Sequence, residues 1–340
     1  GALGGIECLK NLEYLSLNVY GAEAPPVKLS SLGRLSKLRE LRLYGPFVLG
    51  DALGEFALES LTLSRALETS FVDVGKASRL SNVWLQDLPL ASLDGIEQLS
   101  QLKKLRIETA PLSSIEPLGK TSGLEELTLF ELPSLTSIAG IEPHGGLRDL
   151  LLYPVPLASL EPLAKAAQLD WLSVRTSSLT SLAGLEDKPN LRTLNVIDAR
   201  VTDITSLNGL PKLSNVSLAG NRIESLSSLA ASHAISDLDV SANRITSLGP
   251  VAGLAMLESL AAGGNMLEAI DADLPATLTS LRLSGNPIGS LEPLAGLALT
   301  TLEISSTNAT SLAVLADLPQ LRILSADDLG VTDLAVFPLD

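Results

Sequence analysis

One feature constrains this chain more than any other: a leucine string that repeats from end to end. Leu-x-x-Leu-x-Leu, or a close variant, occurs fifteen times, from Leu12-Leu15-Leu17 through Leu80-Val83-Leu85 and Leu169-Leu172-Val174 to Leu321-Leu324-Ala326. Nine of the fourteen intervals between successive first leucines are 22 residues, and the others run from 20 to 26. A chain built this way cannot gather its apolar residues around one central core. Each repeat is a structural unit that buries its apolar face only by stacking on its neighbours.

Within each unit, positions three to seven alternate with a period of two, which is a strand pattern. The fourth and sixth residues point into the core, and the third, fifth and seventh point out. Neighbouring strands then lie parallel, about 4.8 Å apart. The return segment spaces its apolar residues by three, as in Ile223, Leu226 and Leu229, and this predicts a short 3-10 or irregular path instead of a full helix.

The string resembles the leucine-rich-repeat family over essentially the whole chain. It is fullest in repeats ten to thirteen, which read LSNVSLAGNRI (213 to 223), ISDLDVSANRI (235 to 245), LESLAAGGNML (257 to 267) and LTSLRLSGNPI (278 to 288). The 22-residue period and return phrases such as Ser-Leu-Glu-Pro-Leu (residues 159 to 163 and 290 to 294) are similar to the short-repeat branch that includes internalins and the phosphatase-regulator type. The resemblance implies an α/β repeat solenoid. This is a curved right-handed superhelix with a parallel concave sheet of about fifteen strands and short 3-10 convex segments, in one solenoid over residues 1–340. It also implies that asparagine in the ninth position satisfies backbone groups at the strand-to-loop turn. That residue is present only at Asn221, Asn243, Asn265 and Asn286, so the other repeats are expected to turn less regularly. Four extra residues in the first repeat, with Gly21 to Pro26, read as a protruding loop. A partial repeat at the N-terminus and the convex Leu334 and Phe337 at the other end read as cut ends of a longer protein.

Composition removes several function classes. Cys8 is the single cysteine and His144 and His233 the only histidines, so ligands for a transition metal are almost lacking and no internal disulfide can form. The sequence contains no phosphate-binding glycine loop, no His-Glu-x-x-His and no Gly-x-Ser-x-Gly. Both histidines read as turn residues. Asp237 and Asp239 project from one strand face and read as a solvated pair, and the sequons at Asn215 and Asn308 match chance frequency. The expectation is a noncatalytic chain without cofactor or metal. Net charge is −15, which disfavours nucleic acid or an anionic membrane as the main partner. From Ser225 onward there are 3 basic and 13 acidic residues. No apolar run reaches the roughly 18 residues that a membrane-spanning helix needs.

The informative signal lies on the outward strand positions. The chain has 11 aromatic residues, and six of them occupy third, fifth or seventh positions: Tyr14, Tyr44, Trp84, Phe130, Tyr153 and Trp171. These positions make up only about an eighth of the chain, so chance would place one or two aromatics there. Aromatics that avoid the core and gather on an open sheet point to an interface. Seventh positions of repeats six to nine give a column of Phe130, Tyr153, Arg175 and Ile197, with Leu151 and Trp171 beside it. Trp84 and Arg106 hold adjacent fifth positions and are placed for a cation-π contact. We therefore expect a monomeric module that binds a protein partner on the concave face of repeats four to nine. The competing readings are a structural spacer and a substrate-recognition domain of a larger enzyme or effector. The lack of cap disulfides favours a cytoplasmic or bacterial surface setting over an animal extracellular one.

Overall fold

A computed structural model of the chain describes residues 6–19, 25–29, 35–68, 70–175 and 178–330. The expected loop at Gly21 to Pro26 lies mostly outside these residues, and the convex Leu334 and Phe337 lie entirely outside them. The chain divides into two compact units, Gly1–Leu169 and Asp170–Asp340.

The strand phase is the one read from the sequence. In the first unit the strands Tyr14–Asn18, Glu40–Tyr44, Ser60–Ser64, Asn82–Gln86, Lys104–Glu108, Glu126–Phe130 and Asp149–Tyr153 follow one another in parallel, each pairing with the next residue for residue. In the second unit Trp171–Arg175 and Thr193–Ile197 are followed by six strands of three residues, from Asn215–Ser217 to Ile323–Ser325, also parallel. The fifteen expected strands are thus present. Their fourth and sixth residues form the core except in the first and last strands, where Leu15, Leu17, Leu324 and Ala326 are not fully buried: Leu127, Leu129, Leu150, Leu152, Leu172 and Val174 are all at most 1% exposed. A side pair of short strands, Val27–Lys28 and Phe47–Val48, joins the first repeats beyond the main strands.

The return segments are single turns of 3-10 helix, such as Glu116–Lys120, Glu161–Lys165, Gly249–Gly253 and Glu292–Leu294. The Ser-x-Glu-Pro-Leu phrase explains three of them. The serine hydroxyl accepts the N–H of the glutamate two residues on, at 3.1 Å for Ser114, 3.0 Å for Ser159 and 3.3 Å for Ser290. Proline then follows with φ already set for the turn and with no N–H to satisfy. One return segment, Val72–Gly75, is a single turn of α-helix instead. Close stacking fixes some glycines: a Cβ on Gly140, which has φ of +106°, would lie 2.5 Å from the Ile115 carbonyl oxygen.

The strand-to-loop turn is more uniform than expected. Its eighth residue is left-handed in repeats with and without asparagine: Arg65, Asp87, Thr109, Glu131, Asp198, Ala242 and Ser306 have φ between 51° and 58°, and Gly220, Gly264 and Gly285 have φ between 64° and 72°. Pro154, whose ring forbids positive φ, stands at this place in repeat seven. What changes is the ninth residue. In repeats three to seven and nine the position is apolar and buried, as with Leu88 (3% exposed), Leu132 (0%) and Val155 (0%).

In repeats ten to thirteen the asparagines form a continuous ladder. The Asn243 amide donates to the carbonyls of Val240 (3.0 Å) and, one repeat back, Leu218 (2.9 Å), and its oxygen accepts the N–H of Ile223 (3.0 Å). Asn221, Asn265 and Asn286 repeat this pattern with donor distances of 2.7 to 3.0 Å. Each side chain satisfies three buried backbone groups and ties two repeats together. Thr307 keeps one of those bonds, donating to the Ile304 carbonyl at 2.9 Å.

His144 is more than a turn residue. It is 1% exposed and bridges two turns: its Nδ1 accepts the N–H of Leu124 and its Nε2 donates to the carbonyl of Leu118, both at 3.2 Å. Burial pushes its pKa below the ordinary imidazole value. His233 is exposed, as a turn histidine should be, with Nδ1 2.9 Å from the Gly253 carbonyl oxygen.

Candidate protein-binding face

The open face of the first unit carries five of the expected residues. Trp84 and Arg106 are direct partners on neighbouring strands, and the guanidinium carbon lies 4.7 Å from the centre of the indole. The arginine is held from its other side by Glu108, which is almost buried. Trp84 is 36% exposed, a large value for an indole, whereas Phe47, Phe56 and Phe71 are buried in an otherwise aliphatic core. The sequence-based cation-π contact is therefore present, and its arginine is positioned by a carboxylate two residues along the same strand.

Phe130 and Tyr153 also sit on neighbouring strands in register, and their rings stack with centroids 5.4 Å apart and planes 19° from parallel. Both are half-buried, as is Leu151, whose strand partner is Thr128. A second cation-π contact, absent from the sequence-based reading, joins Arg42 to Tyr14 at 5.5 Å. The signal was available, since fifth-position Arg42 and third-position Tyr14 are offset by one strand and two residues, a diagonal that long side chains can span.

Between these contacts lies a shallow groove of about 310 Å³, lined by Arg42, Thr62, Trp84, Lys104, Arg106 and Glu126 among others. Lys104 and Glu126 pair across it at 2.5 Å. The groove offers an indole face, guanidinium edges and hydroxyls within a few ångströms, a mixture suited to amphipathic polypeptide side chains.

In the second unit, Trp171 is half-buried and opposes Thr193, while Arg175 and Ile197 are strand partners. Arg175 is not free within an apolar patch, because its guanidinium pairs with Asp198 at 2.5 Å. Further along this unit the open face is small and polar. Asp237 accepts the Ser236 hydroxyl at 2.8 Å and Asp239 accepts the Ser241 N–H at 3.0 Å, so these carboxylates are engaged locally. Among the described residues no group of three or more His, Cys, Asp or Glu side chains is arranged to hold a metal ion, and no helix is long and apolar enough to cross a membrane.

Solved structures share this architecture. An internalin from Listeria monocytogenes, InlF, superposes with a TM-score of 0.74 over 94% of this chain and 88% of its own, at 20% identity. This is a leucine-rich-repeat fold. A leucine-rich-repeat protein from Leptospira interrogans gives a TM-score of 0.79 over 96% of this chain and 93% of its own, at 21% identity. The plant peptide hormone receptor RGFR1, solved in complex with RGF2, matches 95% of this chain with 60% of its own length, at 20% identity and a TM-score of 0.70. No protein-family model and no curated protein matches the sequence. The short-repeat, internalin-like character read from the period is thus shared by leucine-rich-repeat structures of distant sequence.

Proposed function

We propose that this leucine-rich-repeat chain is a noncatalytic recognition module that holds a protein partner on the outward strand positions of repeats four to nine. In the first unit the anchors are Trp84, Arg106, Phe130, Leu151 and Tyr153; Trp171, Arg175 and Ile197 are the second unit's own contacts. The observation that carries the reading is the placement of aromatic rings in a chain with only 11. Trp84 lies against Arg106 and Phe130 against Tyr153 on the open face, while the described apolar interior is Leu, Ile, Val and Ala apart from Phe47, Phe56 and Phe71 in repeats two and three. Rings held rigid by neighbours lose little entropy on binding, which is the property of an interface hot spot. A similarly folded receptor has been solved with the partner RGF2, which supports a protein or peptide ligand.

The test is affinity capture from the source organism with wild type and the Trp84→Ala/Tyr153→Ala double variant as paired baits, followed by affinity measurement on the retained partner. Each single change should weaken binding roughly 30-fold, since truncating a desolvated aromatic anchor removes about 2 kcal/mol or more. Circular dichroism should be unchanged. Equal retention by both baits, with loss on neutralising Asp327 and Asp328, would place the site in the acidic last repeat and overturn the reading.

A further inference from the structure

Several charges in this chain pair between successive repeats. At the second position Arg39 pairs with Glu59 (2.7 Å), Lys103 with Glu125 (2.7 Å) and, in the second unit, Arg192 with Asp170 (2.6 Å). The tenth position of repeats nine to eleven carries a run of charge without such pairs. It holds Arg200, Arg222 and Arg244, all exposed, and none is in an ion pair among the described residues. Their backbone N–H groups donate to the carbonyls of Leu179, Val201 and Ile223, each at 2.9 Å, so the three residues stand in register on successive turns of the solenoid. Successive guanidiniums therefore rise from points about 5 Å apart. Like charges so placed repel. They do so in a unit with only nine basic residues against nineteen acidic ones, where carboxylate partners are plentiful.

Beside Arg222 lies a groove of about 250 Å³ that also includes Thr202, Asp203, Thr205, Glu224, Ser225 and Ser227. Asp203 takes the N–H of Thr205 (2.9 Å), and Ser225 donates to the Ser227 hydroxyl (3.2 Å), so the groove is lined by oriented hydroxyls and carboxylates with no aromatic ring. Carboxylates beside guanidiniums are a poor surface for a ligand that is anionic throughout. They suit one that carries hydroxyls as well as anionic groups.

We infer that this rim binds an acidic polysaccharide, its sulfate or carboxylate groups on Arg200, Arg222 and Arg244 and its hydroxyls on Asp203, Glu224 and the neighbouring serines. Nucleic acid fits less well, because the cationic track is about 10 Å long, too short for the six or more phosphate contacts of tight binders. Its ends are Ser178 and Met266, neither of them basic. The site is separate from the aromatic face and does not depend on it.

The experiment measures binding of the whole chain at low salt to a heparin oligosaccharide, an oligogalacturonate, neutral dextran, a single-stranded oligonucleotide and polyglutamate. The heparin and oligogalacturonate arms separate sulfate from carboxylate as the anionic group, and saturable binding of either with none of dextran is expected. Each Arg→Gln change should lower affinity about tenfold, as expected for loss of one charge-assisted hydrogen bond. The triple variant should lose binding while its melting temperature is unchanged or raised, since repulsion is relieved. Glu224→Ala is the decisive arm. It removes a negative charge beside Arg222, so a site that reads charge alone binds more tightly, whereas one that holds sugar hydroxyls binds more weakly. Wild-type binding of neither acidic sugar, equal binding by the triple variant, tighter binding on Glu224→Ala, or equal affinity for the oligonucleotide or polyglutamate would each overturn the inference.

Discussion

Repeats four to seven and repeats ten to thirteen share a period and, Pro154 of repeat seven aside, a left-handed eighth residue, yet they place their polar and apolar groups in opposite ways. In the former the ninth position is Leu88, Ala110, Leu132 or Val155, all buried, and the open face carries Trp84, Phe130 and Tyr153. In the latter the ninth position is asparagine, bonded to three backbone groups, and the seventh is Ala219, Ser241, Gly263 or Ser284. The difference teaches that the asparagine ladder is one way of filling the turn and not a condition of the fold. Where the ninth position is apolar the distinctive chemistry stands outside, on the strand face. Where the interior holds hydrogen bonds the strand face has little to grip.

Exchanging the two solutions should break that comparison most severely. Asn243→Leu leaves the N–H of Ile223 without a partner and takes one of two amide donors from each of the carbonyls of Leu218 and Val240, which keep Asn221 and Asn265, at roughly 2 to 6 kcal/mol for the set. Leu132→Asn puts an amide where the apolar turn provides no ladder neighbours and should cost about 2 to 4 kcal/mol. Urea denaturation of both variants checks this. Near-wild-type stability in either would mean that the turns are interchangeable residue by residue.

Core and face of the same strand come next. Leu150→Ala removes a fully buried side chain and should cost about 2 to 5 kcal/mol, whereas its neighbour Leu151→Ala should cost under about 1 kcal/mol. Equal losses in thermal melts would show the strand phase to be inverted.

A smaller effect is expected from pH, and only in the first unit. His144 is buried neutral, so its folded pKa lies below the unfolded one. Its contribution is complete above the ordinary imidazole range, near pH 6.5, and is lost as pH falls from there through the depressed folded value. The melting temperature should therefore drop between pH 7.5 and 5 in wild type and drop less in His144→Gln. A pH response concentrated in the asparagine-ladder repeats would contradict this.

The smallest change sharpens the comparison at the eighth position. Thr109 is β-branched at φ of 51°, whereas repeats ten, twelve and thirteen use glycine there. Thr109→Gly should stabilise by about 0.5 to 1 kcal/mol, the relief of left-handed strain less the entropy glycine adds to the unfolded chain. Gly220→Thr should do the reverse and by more, because its Cβ would meet Asp198 Oδ1 at 2.5 Å. Differential scanning calorimetry reads both.

Much of this protein was legible in its sequence because repetition turns one local pattern into many independent confirmations. The alternation around Leu127 and Leu129 set the strand phase, the spacing of Ser-x-Glu-Pro-Leu set the short return turn, and register placed Trp84 beside Arg106 and Phe130 beside Tyr153. Four things needed the tertiary structure. The left-handed eighth residue is occupied by Arg65, Thr109 and Glu131 as readily as by glycine, because inter-repeat backbone bonds hold the turn whatever side chain it carries. His144 is buried because the column it joins is filled in other repeats by residues such as Leu99, Leu210 and Leu254, which its immediate neighbours in sequence do not reveal. Arg175 is paired because Asp198, in the next repeat's left-handed turn, is aimed at it. The column Arg200, Arg222 and Arg244 becomes a charged surface only once the repeats are stacked. A sequence specifies what each repeat does by itself; which side chains of different repeats meet is decided by the stacking that brings residues 22 apart to within one strand spacing.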